Sequence, residues 1–295
     1  MSNDVNLFVR TQTVTVDATG KGVATFTVGN FGPNPTVGNS SLKVTTPFFV
    51  NIDSTGVLPP GMVTLFQDLR PDVPSIVKVP VGPGLAAGAT QTINIPFMLL
   101  PGAPTVAPGG RATFTTEPGS ADNDLDLSRN SQQYYVIRSV LPVPANGTVS
   151  LLYTYDNLFL KPANQCYMPV HLFNNGPNPT QKNSYLTLFT PFYVNFGSPF
   201  VPPLLPLGIT FDVLYSNPDP SVPEIARVKI PPGLGGLLNN EITVQIPLVS
   251  VAGGPRCSVA GGGIYVPDLA NPTNPDTDPD RSTNHHPFGL VLLGS

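Results

Sequence analysis

N-F-G-P-N-P-T at Asn30–Thr36 leads into T-P-F-F-V-N at Thr46–Asn51, and the pair returns as N-N-G-P-N-P-T at Asn174–Thr180 and T-P-F-Y-V-N at Thr190–Asn195. From Asn30 to Asn51, 14 of 22 positions match those from Asn174 to Asn195. The chain is therefore a tandem duplication. A duplicated catalytic site usually keeps its chemistry in one copy, so a repeat that preserves turns and apolar strands points first to architecture. Weaker echoes extend the repeat, with Val77–Pro80 against Val228–Pro231 and Ile95–Phe97 against Ile246–Leu248. The reading divides the 295 residues into domains 1–141 and 142–295, each long enough to bury its own core.

Composition narrows the class. There are 37 prolines, 28 glycines and no tryptophan, and 11% of residues are charged, against about 25% in an average soluble domain. Proline removes backbone donors and breaks helix interiors, while 40% apolar content argues against disorder. Period-two alternation runs through Thr13–Val16, Val23–Val28, Leu42–Val44 and Thr92–Ile95, with one face buried and the other turned to water or a partner. Together with stretches near Val63–Leu69, Ile76–Val79, Ala112–Thr115 and Tyr134–Ile137, this predicts about seven or eight strands per copy and no helical stripe. The expected fold is all-β, two antiparallel β-sandwiches in tandem, joined by a stiff linker at Leu141–Thr148 that carries Pro142 and Pro144.

Three phrases occur in the order of a known family. Val28–Pro35 reads as a strand followed by Asn-x-Gly-Pro, Leu85–Thr90 precedes a long strand, and Asp-rich turns ending in Asn occupy Asp122–Asn130 and Asp276–Asn284. On these the chain resembles the immunoglobulin-like repeat of unknown function found in tandem in bacterial and archaeal surface proteins. More loosely, it resembles the cell-adhesion-related domain of bacteria. The resemblance implies two immunoglobulin-like sandwiches and a place on the surface of a cell or particle.

Charge excludes several functions. A net charge of −4, with 14 Lys+Arg and 18 Asp+Glu scattered singly, leaves no basic stripe for nucleic acid. No run of 18 apolar residues exists, so no membrane span is expected. The N-terminal region lacks the basic and apolar blocks of a signal peptide, so an extracellular or virion-surface location is expected without ordinary secretion, and a cytoplasmic one stays open. Gly-rich stretches at Ala252–Gly254 and Gly261–Gly263 lack the lysine and helix of a phosphate loop.

The candidates for chemistry are few. D-N-D-L-D-L-S-R-N at Asp122–Asn130 and D-T-D-P-D-R-S-T-N at Asp276–Asn284 place oxygen ligands at alternate positions. Asp122, Asp124, Asp126 and Asn130 could therefore curl around one Ca2+, and Asp276, Asp278, Asp280 and Asn284 around another. The competing reading is an Asx-turn entering the last strand, and no other cofactor is expected. Cys166 and Cys257 both lie in the second copy, aligned with Gly22 and Ala112 of the first; a disulfide and two buried thiols are both open readings. His285 and His286 are neighbours on a strand and so face opposite ways, and His171 lies in an alternating segment. Phe48, Phe49, Phe192 and Tyr193 could form a binding surface, though core packing suits them as well.

These observations predict a non-enzymatic structural protein that self-associates as a homo-oligomer or lattice, or coats a larger protein assembly such as a virion surface, filament or cell-surface layer. An adhesion module recognising a carbohydrate or protein through sandwich loops is the alternative. A hydrolase would need a convergent acid, base or nucleophile set that the sequence does not offer.

Overall fold

The computed structural model describes residues 3–138, 147–156, 159–160, 165–197, 205–206, 208–236, 241–255, 257–271, 273–279, 281 and 284–292. Side chains at 159, 160, 165, 257–259, 291 and 292, and the linker expected at Leu141–Thr148 up to residue 146, fall outside them. The chain divides into two compact units, Met1–Leu141 and Pro142–Ser295. Among the described residues the only helical element is a single 3₁₀ turn at Leu127–Arg129. Among the described residues no helix is long and apolar enough to cross a membrane.

The first unit runs through β1 (Asn3–Val5), β2 (Leu7–Thr11), β3 (Val14–Val16), β4 (Lys21–Asn30), β5 (Ser40–Thr45), β6 (Val50–Ile52), β7 (Val63–Phe66), β8 (Ile76–Val81), β9 (Thr90–Leu99), β10 (Val106–Thr116), β11 (Asp122–Asp124) and β12 (Ser131–Arg138). The second has β13 (Leu151–Tyr155), β14 (Phe159–Leu160), β15 (Gln165–Asn174), β16 (Ser184–Phe189), β17 (Val194–Phe196), β18 (Thr210–Tyr215), β19 (Ile225–Ile230), β20 (Ile242–Ser250), β21 (Cys257–Pro267) and β22 (His285–Leu292). In the first unit a six-stranded sheet is ordered β3-β12-β10-β5-β8-β7 and a four-stranded sheet β2-β4-β9-β6. The second repeats both orders strand for strand, as β14-β22-β21-β16-β19-β18 and β13-β15-β20-β17. Even the irregularities recur: the ladder shifts between Ala107 and Gly110 and again between Ser258 and Gly261.

Each unit is a β-sandwich. In the second, one apolar core joins Leu151, Val170 and Ile246 of the four-stranded sheet to Leu186, Val228 and Tyr265 of the six-stranded one. In the first, Tyr134 on β12 meets Phe26 on β4 and Phe97 on β9, with ring centroids 5.3 and 6.1 Å apart. Its hydroxyl donates to the Thr45 carbonyl at 3.0 Å, so the ring is buried without orphaning its polar end. Each such side chain removed from water contributes about 1.5–3 kcal/mol.

The strands outnumber the expectation, because β1, β3, β6 and β11 are three residues long and too short to show a period. The strand registers also shift the correspondence between the two copies. Ser40 pairs with Val81 and Ser184 with Ile230, so Lys78 corresponds to Arg227, and Val77–Pro80 is two residues out of step with Val228–Pro231. A two-residue slip leaves every side chain on its original face, so alternation cannot detect it. In the same way Ser40 pairs with Thr116 and Ser184 with Pro267, which aligns Cys257 with Val106 rather than Ala112. Nor does alternation always mark exposure: β5 is buried at all six positions, the polar Ser41, Lys43 and Thr45 included.

The motif that reveals the repeat is held by a buried amide. Asn30, at the end of β4, is fully buried. Its Oδ1 accepts from the main-chain N–H of Asn6 at 3.1 Å and Gly32 at 2.8 Å. Its Nδ2 donates to the carbonyls of Asn34 at 2.7 Å and Leu85 at 3.1 Å. Asn174 does the same for Ser150 at 3.1 Å, Gly176 at 2.9 Å, Asn178 at 2.7 Å and Leu234 at 3.2 Å. An amide has two donors and two acceptor sites on its oxygen, and all are filled here. The glycine two residues on is required by close approach: a Cβ on Gly32 would lie 2.5 Å from the Asn6 nitrogen, and one on Gly176 2.4 Å from the Val149 Cα. Thr36 and Thr180 complete the turn, their hydroxyls accepting from the N–H of Leu85 at 2.9 Å and Leu234 at 3.0 Å.

Asn30→Ala and Asn174→Ala each leave four main-chain groups without this partner, at about 1–3 kcal/mol for each that water cannot reach. Urea unfolding followed by tyrosine fluorescence is expected to show a loss of roughly 3 kcal/mol or more for either change; a loss under about 1 kcal/mol would contradict the assignment.

Candidate functional site

Among the described residues, the carboxylates of the two Asp-rich turns are taken up by hydrogen-bond donors. Asp122 accepts from the N–H of Val37 at 3.0 Å and Gly38 at 2.9 Å, and from the Asn3 amide at 2.7 Å. Asp276 accepts from the N–H of Gln181 at 2.9 Å and Lys182 at 3.0 Å. Asp124 reaches instead to the Leu7 N–H at 3.3 Å and the Asn130 amide at 2.7 Å, and Asp278 to the Leu151 N–H and the Asn284 amide, both at 2.8 Å. Asp126 caps the 3₁₀ turn through the Ser128 N–H at 3.1 Å and pairs with Arg129 at 3.2 Å. Asp280 lies outside the described residues.

The spacing offers either ligands around one cation or an Asx-turn; among the described residues these carboxylates accept from main-chain N–H groups and from side chains of their own turn. Among the described residues no three His, Cys, Asp or Glu side chains gather as metal ligands. Burial raises the Asp122 carboxyl, but the donors from Val37, Asn3, Gly38 and Ser120 outweigh it and hold it below the usual carboxylate value. For Asp124 burial dominates and the carboxyl is pushed up despite the Asn130 amide.

The cysteines and histidines are similarly dispersed. Cys166 is a half-buried thiol on β15, its pKa raised by burial, and the disulfide reading rests on Cys257, whose side chain is not among those described. His171 sits on β15, paired to both β13 and β20, and its Nδ1 bonds to Glu241 and to the Thr243 hydroxyl at 3.2 Å while Nε2 lies 3.5 Å from Asp156. His171 and Thr243 are a cross-strand pair, which the sequence could not reveal without the register. Phe48, Phe49 and Phe192 are buried, so they do not form a binding surface. Phe49 and Tyr193 hold positive φ angles of 63° and 60°, the same turn built twice.

Two surface features went unread in the sequence, both in the first unit. Phe8 and Phe31 stack at 4.1 Å beside a small groove, with Arg10 5.2 Å from the Phe8 ring and Arg129 5.9 Å from the Phe31 ring. The signal available was a difference, since Asn175 stands where the first copy has Phe31. The larger feature is a cleft of about 790 Å3 lined by Lys21, Val23, Asp53, Val57, Leu58, Pro60, Pro80 and Gln91–Asn94 among others. Lys21 and Asp53 pair across it at 2.9 Å, and Thr55 and Lys21 together hold the Asp53 carboxyl down to about 2.

No protein-family model and no curated protein matches the chain. Among solved structures, a cohesin module from a Clostridium perfringens ATCC13124 family 33 glycoside hydrolase is similar over 51% of this chain and 100% of its own, at 6% identity and TM-score 0.30. AvmM, described as catalysing macrocyclization in alchivemycin A biosynthesis, is similar over 52% of this chain and 96% of its own, at 11% identity and TM-score 0.29.

Two outcomes follow from the bonding. Because main-chain donors occupy the carboxylates, a chelator is expected to leave the thermal midpoint unchanged, whereas Asp276→Ala, which uncovers two N–H groups, lowers stability by roughly 2 kcal/mol; calorimetry distinguishes the two. Burial, then the charge of His286, depresses His285 from its usual 6.5 to about 3. A neutral imidazole in the fold contributes stability that is complete above pH 6.5 and is lost as pH falls toward 3. His285→Gln should flatten that limb in urea unfolding at pH 7, 5 and 4, and an unchanged limb would count against it.

Proposed function

We propose that the chain is a non-enzymatic structural protein, built as two immunoglobulin-like sandwiches, that self-associates or coats a larger assembly such as a virion surface, filament or cell-surface layer. One observation carries this reading: the polar residues that the two units hold in common serve the main chain. Asn30 and Asn174, Thr36 and Thr180, Asp122 and Asp276, and Asp124 and Asp278 bond in matching ways to backbone groups. What has been kept in duplicate is a shape. Low charge is compatible with close packing of copies, and exposed apolar residues such as Val57, Leu69 and Val63 supply contact area. A surface location on a particle or cell belongs to the same proposal.

The 790 Å3 cleft favours a second reading, a binding module that takes a ligand on its first unit. Sedimentation velocity over a hundredfold concentration range separates the two. A persistent oligomer or filament is expected for the structural role, and a monomer at every concentration would defeat it.

A further inference from the structure

The cleft of the first unit contains an unfinished sheet edge. In the four-stranded sheet β9 lies between β4 and β6, but β6 covers only Phe97–Leu99, and the last bond on that side runs from the Asp53 N–H to the Pro96 carbonyl at 2.9 Å. Pro96 has no N–H and its carbonyl points toward β6, so Pro96 and Val23 form a non-bonded pair of the β4–β9 ladder. Bonding alternates along an antiparallel ladder, so Ile95 and Ile93 bond to β4, while the main-chain groups of Asn94 and Thr92 point the other way. There the chain has already turned off at Asp53, and among the described residues no strand follows. Thr92 and Asn94 are exposed and line the cleft, with the buried Ile93 and Val79 also in its wall.

The opposite wall is apolar. The segment from Gly56 to Gly61 arches between the two sheets, since a Cβ on Gly56 would strike the Pro96 side chain at 2.6 Å and one on Gly61 would strike Pro80 at 2.9 Å. It carries Val57, 92% exposed, and Leu58, 39% exposed. The cationic group of the cleft is already satisfied, because Lys21 bonds to Asp53 and to the Thr55 hydroxyl, both at 2.9 Å. The Asp17 carboxylate accepts from the N–H of Thr19 at 2.8 Å and Lys21 at 3.0 Å.

We propose that this edge takes an extended, uncharged segment of a partner polypeptide as an added strand, bonded to the main chain of Thr92 and Asn94 and packed under Val57 and Leu58. Main-chain bonding would set the register, and the paired charges together with proline and aliphatic walls would select an uncharged occupant. From Thr92 to Pro96 the edge spans about 13 Å, room for roughly five residues at ~3.3 Å each. The inference goes beyond the assembly reading and does not need it.

The test uses the full chain, with acetyl-Thr-Val-Thr-Val-Thr-Val-amide as the probe and amide hydrogen exchange by NMR as the readout. Saturating peptide is expected to slow exchange at Thr92 and Asn94 by at least about tenfold, and the same peptide N-methylated at every residue to slow neither. Val57→Asp, at an exposed site where the fold has nothing to lose, should weaken peptide binding by about tenfold, equivalent to ~1.4 kcal/mol. No slowing at millimolar peptide, or equal slowing by the N-methylated form, would overturn the proposal. Slowing that rises with protein concentration and needs no peptide would also overturn it, assigning the edge to a second copy.

Discussion

A buried side-chain amide must find four partners or destabilise the fold, and in this protein that requirement fixes three segments at once. Asn30 ties the start of β2, the G-P-N-P turn and the loop before β9 to a single point, and Asn174 ties their counterparts in the second unit. No other residue substitutes easily. Aspartate lacks the two donors, leucine of similar size leaves both carbonyls bare, and glutamine places the amide one methylene too far. The glycine that follows is fixed by the same crowding, and the threonine that closes the turn fixes the loop from its other side.

This explains what could be read from the sequence. Asn30, Gly32 and Thr36, with Asn174, Gly176 and Thr180, stand out because each has a steric or bonding duty that few residue types fulfil, so they survived in both copies. The sheets were visible through alternation, but pairing was not, because exchanging Val77 for Val79 as the partner of a given position changes no side chain's face. The Asp-rich turns left two readings open for a related reason. Carboxylates that accept from main-chain amides and carboxylates that hold a cation share the same composition and spacing, and only the direction of the donors separates them. Asp122 meets two successive N–H groups of the Val37–Gly38 turn, which no local sequence pattern announces.

The cleft escaped notice because it arises from something missing. Thr92 and Asn94 look like ordinary outward positions of an alternating strand, and nothing near them says that β6 stops after three residues. Pro96 held part of the clue. A proline within a strand must turn its nitrogen away from a neighbour, and here that points directly along the side where pairing ends.

The last strand of each unit has a parallel neighbour, and this has a consequence for mechanical load. In the first unit β3 runs parallel to β12, and in the second β14 runs parallel to β22. When the two ends of such a unit are pulled apart, parallel neighbours slide along each other, so their bonds are strained together instead of opening one by one like a zip. Tension that reaches this seam is then resisted by its bonds in concert.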